Sequence, residues 1–152
     1  MTIVTPANTV LASGTPMIDT SERLEGTVTY AAPGRLVKEG SSGEGYVTVC
    51  GAAEKALGVI GFKEAHPGET EDHTISTAFS LTDHPPVLKG SFMFRGVLQA
   101  SQGALVSGQL LAPGTNGSLA KQTAVTVTPV ARLEKPVSNN GSEQIVLATW
   151  LG

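Results

Sequence analysis

The sequence predicts an all-β protein: a small β-barrel or sandwich carrying an extended N-terminal arm. Three observations carry this. Gly is 18 and Pro is 9 of the 152 residues while charged residues are only 15 %, a composition with many turn formers and few residues for solvated helix faces. Short runs of β-branched and aromatic residues recur about every 8–12 residues with turn signals between them. No stretch of about ten residues keeps the apolar period of an amphipathic helix.

The length suits a single domain with a core of its own, divided here into an arm over residues 1–26 and a barrel domain over 27–152. Net charge is -3, and the ten Lys and Arg are scattered singly. Nucleic-acid binding draws on clustered cations that displace counterions from phosphate, so no nucleic-acid partner is expected. An anionic membrane surface is disfavoured for the same reason, and no apolar run approaches the ~18–20 residues of a membrane span. The opening MTIVTPANTVLASGTP lacks a basic start and is interrupted by Pro6, Asn8 and Thr9, so it does not read as a signal peptide. Cys50 is the only cysteine; it leaves no intrachain disulfide and reads as a small buried hydrophobe.

In the arm, Ile3, Val4, Val10, Leu11, Met17 and Ile18 are apolar, yet Pro6, Gly14 and Pro16 break the segment too often for it to fold alone. These six residues are therefore the candidate partner-binding set. Ser21 to Glu25 could form one helical turn, stopped by Gly26.

From Thr27 onward the strands follow in order. Thr27–Tyr30 is the first, closed by Pro33-Gly34, and Arg35–Lys38 the second, before a Gly/Ser-rich hairpin loop over 40–45. Tyr46–Cys50 sets Val47 and Val49 on one face. Ala52–Ala56 is a plausible helical turn leading to the apolar run Leu57–Phe62. After a polar loop over 63–73, Thr74–Phe79 is a strand. Ser91–Leu98 is the strongest, with Phe92 and Phe94 on one face and Met93 and Arg95 on the other. Gly103–Val106 and Gln109–Leu111 follow, then a turn over 113–117. Two strands close the chain: Val125–Glu134, broken at Pro129, and Gln144–Trp150 after an Asn139-Asn140-Gly141 hairpin turn. The predicted core is Leu36, Val37, Val47, Val49, Val59, Ile75, Phe79, Phe92, Phe94, Val97, Leu105, Leu110, Val125, Val127, Ile145 and Leu147.

Chemistry is not signalled. His66, His73 and His84 sit in or beside loops, two of them before Pro. His66, Glu69, Glu71, Asp72 and His73 cluster but match no metal motif, and a solvated acidic loop is the simpler reading. No GxSxG elbow occurs, and the glycines of 40–45 open a strand rather than a helix, so they do not form a phosphate loop. No catalytic residue, metal or cofactor is expected. Trp150 reads as part of a core strand rather than as an interface anchor.

The succession GRLVKEG, ALGVIGF, SFMFRGVLQASQGALVSGQLLAPGTNGSL and VARLEKPV, then a hydrophobic last strand, resembles the head-decoration (structural cement) proteins of tailed phages. The matching pattern is one of glycines and strands: Gly34 to Val37, Gly58-Val59-Ile60, Gly96-Val97-Leu98, Gly103 to Leu111, and Pro129 to Leu133. It covers about residues 27–150. Two departures stand out: Val130-Ala131-Arg132 where the family typically shows Ile-Gly, and a Pro-rich N-terminal segment. The resemblance implies a non-enzymatic structural protein of the virion, made in the host cytoplasm and seated on the outer surface of the capsid. Its partners would be the major capsid protein and itself, as a homo-oligomer, a homotrimer favoured over a dimer. The alternatives are another phage structural module (fibre, baseplate or spike domain) and, fitting less well for want of aromatics, a carbohydrate-binding module.

Overall fold

A computed structural model describes residues 10–61 and 78–152. The strands, in chain order, are β1 (Leu11–Gly14), β2 (Met17–Asp19), β3 (Arg23–Leu24), β4 (Leu36–Glu39), β5 (Tyr46–Val49), β6 (Gly58–Ile60), β7 (Val87–Lys89), β8 (Phe92–Leu98), β9 (Gly103–Leu105), β10 (Leu110–Pro113), β11 (Leu119–Lys121), β12 (Ala131–Leu133), β13 (Val137–Asn139) and β14 (Gln144–Trp150). A 3-10 turn at Thr115–Gly117 is the only helical element among the described residues. The fold is all-β.

Strands β8, β11, β10, β12 and β14 close into a five-stranded barrel, because β14 pairs back onto β8 from Gln144↔Leu98 to Thr149↔Met93. The long strand β8 serves three partners. One edge carries β14, and the other is shared between β1 beside Phe92–Phe94 and β11 at Leu98. Alternation on β8 decides what fills the barrel: Phe92, Phe94 and Leu98 point inward. From β14 they meet Val146, Ala148 and Trp150. The Phe92 and Trp150 rings stack with centroids 6.0 Å apart, and Phe94 meets Trp150 edge-on at 6.2 Å. Such aromatic pairs add to the area they bury.

A second sheet runs β2-β7-β6-β4-β5-β3. Its two edge strands, β2 and β3, are joined by residues 20–22 alone. Asp19 to Arg23 reaches at most about 14 Å, whereas the edges of a flat sheet of this size stand about 24 Å apart. The sheet is therefore curled. Inside the curl lie Leu24, Val37, Val47, Ile60 and Val87, one from each of five strands, closed over by Ala31 and Phe79. On the outside Leu36, Cys50, Val59 and Leu88 pack into the same cluster as the barrel residues. Strands β4 and β6 are thus buried on both faces, which is why ALGVIGF reads as a continuous apolar run. Gly34 seats this sheet against the barrel: its φ is +87°, and a Cβ there would lie 2.9 Å from the Arg95 carbonyl oxygen of β8.

Several local expectations are corrected. Thr27–Tyr30 is not a strand, Ser21–Glu25 contains β3 rather than a helical turn, and Ala52–Ala56 is a non-helical turn. Of the predicted strand Val125–Glu134 only Ala131–Leu133 pairs; Val125 is 99 % exposed and Val127 half-buried. Asn139-Asn140-Gly141 makes no hairpin, because β13 pairs with β9 and β14 with the barrel. On β10 and β14 the expected phase is inverted. Leu111 is buried rather than Leu110, and Val146, Ala148 and Trp150 rather than Ile145 and Leu147. Ile75 and residues 74–77 of the predicted strand Thr74–Phe79 lie outside the described residues, while Phe79 is buried. Val49 is half-buried beside the inner cluster of the curled sheet. The remaining eight predicted core residues are buried.

Candidate interaction surface

The described part of the arm runs extended along both sheets. Leu11 pairs with Phe94, and Val10, 1 % exposed, belongs to the core of the barrel. Val10 is thus covered by the chain itself, and Leu11 packs against the same cluster. Ile3 and Val4 lie outside the described residues. Met17 and Ile18 are brought together on β2, and they are 64 % and 58 % exposed.

β2 is held firmly on its inner side. Met17, Ile18 and Asp19 pair with Lys89, Leu88 and Val87. Asp19 then turns the chain by accepting from the Ser21 N–H at 2.9 Å and the Ser21 hydroxyl at 2.6 Å. Lys89 donates to Asp19 at 3.0 Å and to Glu22 at 3.3 Å, tying β7 to the link between the edge strands. The Ser21 hydroxyl first, then the Ser21 N–H and Lys89, hold the Asp19 carboxyl down at about 2. The outer side of β2 has no partner strand among the described residues. At the opposite edge the backbone of Leu24 is occupied, bonding to Asp83 and Thr82. An edge left open with two large apolar side chains is a template for strand addition unless something covers it.

A concavity of about 280 Å³ is lined by Tyr30, Lys38, Thr48, Cys50, Glu54 and Asn116 among others. Lys38 and Glu54 pair with each other, and Arg35 sits 5.2 Å from the Tyr30 ring centroid. Burial first, then the Glu54 charge, pushes the Cys50 thiol up to about 11, so it stays protonated and a poor nucleophile. Among the described residues no three His, Cys, Asp or Glu side chains come together as a metal site. The cluster from His66 to His73 lies outside them, and His84 is exposed.

Sequence reasoning missed Arg35, which nothing but its charge distinguishes. It forks onto Glu143 at 2.7 and 3.0 Å and also donates to the Asn116 carbonyl at 3.2 Å.

These features define a barrel protein whose β2 edge, among the described residues, is unpaired on its outer side and apolar. No protein-family model and no curated protein matches the chain.

Proposed function

We propose that this chain is a capsid decoration protein: it binds the outer surface of a tailed-phage head and cements the expanded shell. The reading rests first on the resemblance in its glycine and strand pattern. The observation that carries it is the open β2 edge, with Met17 and Ile18 exposed on a strand anchored by Lys89, Asp19 and Glu22. Covering those two side chains would contribute about 1–2 kcal/mol each, in addition to main-chain bonds from an added strand. The partner is the major capsid protein, and subunits associate among themselves with closed symmetry, a trimer before a dimer. A cement protein needs no catalysis. By binding only the expanded state it stabilises that state by mass action.

Co-sedimentation tests this. Purified protein is mixed with expanded heads lacking decoration, assembled from the coat protein of the phage that encodes it, and separately with unexpanded shells. Saturable binding to the expanded heads alone is expected. Absence of binding to both overturns the proposal.

A further inference from the structure

Two Asn-Gly steps occur, Asn116-Gly117 and Asn140-Gly141. A glycine after asparagine leaves its amide nitrogen unobstructed for attack on the side-chain carboxamide, since it has no Cβ. The fold treats the two steps oppositely. Gly117 is buried, its N–H donates to the Cys50 carbonyl at 2.7 Å, and a Cβ there would lie 2.9 Å from the Leu36 carbonyl oxygen. That nitrogen is held in place and already occupied.

Asn140 and Gly141 are exposed in the loop between β13 and β14. Nothing lies within 4 Å of a Cβ built on Gly141, and its N–H has no backbone acceptor among the described residues. The Asn140 amide makes a 3.4 Å contact with the Ser138 hydroxyl, too long to restrain it strongly. On either side the loop is anchored. Asn139, 2 % exposed, donates to the Ser142 carbonyl at 3.1 Å and accepts from the Gln102 N–H at 3.1 Å. The Gly141 carbonyl accepts from the Ser101 N–H at 2.9 Å.

We propose that Asn140 is a site of spontaneous self-modification, a deamidation clock that the fold denies to Asn116. The Gly141 nitrogen loses its proton and attacks Asn140 Cγ, and the side-chain nitrogen leaves as ammonia. Water then opens the resulting succinimide at either carbonyl, giving an aspartyl or an isoaspartyl residue. One water is consumed and one ammonia released, with no change of oxidation state. The isoaspartyl product lengthens the main chain between the two anchors and adds a negative charge three residues before Glu143. Since Glu143 holds Arg35, the product loosens the link between barrel and curled sheet.

The test is peptide mass spectrometry of the whole protein aged at mildly alkaline pH, native and in denaturant, with enzymatic methyl labelling of isoaspartate. In the native protein, product is expected at 140 while 116 stays intact; in denaturant both convert. Gly141→Ala, which meets no atoms and lies outside the positive-φ positions, should keep the melting temperature and slow conversion at 140 several-fold. Equal conversion at both sites in the native state overturns the proposal. So does a native protein unchanged at 140, or a Gly141→Ala variant that converts as fast.

Discussion

Arg35 and Glu143, 108 positions apart, meet through two parallel hydrogen bonds of 2.7 and 3.0 Å that join the curled sheet to the start of the last barrel strand. Fork-to-fork geometry makes such pairs both strong and directional. Removing one partner of a buried pair costs about 3–5 kcal/mol. Glu143 keeps 30 % of its side chain in water, so Arg35→Met is expected to cost less, about 2–3 kcal/mol. Glu143→Gln, which preserves one acceptor, should cost less again. Denaturant melts of both variants measure this, and an unchanged midpoint in Arg35→Met would show the pair to be incidental.

The barrel interior gives a second expectation. Phe94 is fully buried against Phe92 and Trp150, so Phe94→Ala should lose about 3–5 kcal/mol. Val125→Ala, at a side chain 99 % exposed, should stay within about 0.5 kcal/mol of the parent. Equal losses for the two would contradict the placement of both.

The Asp19 anchor predicts an acid limb. Its carboxyl is lowered from 3.8 to about 2 in the folded chain. A depressed carboxylate contributes stability that is present above the unfolded value and is lost as pH falls through the folded one. The contribution should therefore disappear between about 3.8 and 2. Asp19→Asn should flatten the stability profile across that window and leave the profile at neutral pH parallel to the parent. A profile with the parent's acid slope would argue against the Ser21 and Lys89 contacts.

Cys50 is fully buried with its thiol raised to about 11. Alkylation at mildly alkaline pH should be negligible in the folded protein and complete in denaturant. Rapid alkylation of the native chain would mean that the interface between the two sheets opens.

The alternation on Phe92–Leu98 made the central strand legible, because large rings on one face and Met93 and Arg95 on the other admit a single phase. Gln144–Trp150 did not, because Ile145 and Leu147 compete with Val146, Ala148 and Trp150, and period-two patterning cannot choose between two apolar faces. Val125 to Val127 has the composition of a strand but no partner strand among the described residues; pairing is a tertiary property. β2 and β3 were invisible because strands of three and two residues are too short for a period-two alternation to stand out. Of the candidate surface, the sequence marked Met17 and Ile18 by their hydrophobicity but could not separate them from Val10, which β1 carries into the core. The Arg35–Glu143 fork joins residues too distant for any local signal.

The proposed role of the open apolar edge on β2 is to hold the protein on an expanded capsid. Its most direct measurement is the saturation binding of Ile18→Lys and the parent to the same expanded, undecorated heads, with melting temperatures matched beforehand. Ile18 is 58 % exposed, so the substitution should leave the fold intact. The proposed function predicts a parent that saturates the heads and a variant that loses most of its affinity at unchanged melting temperature. Equal binding by the two proteins, or none by the parent, would contradict it.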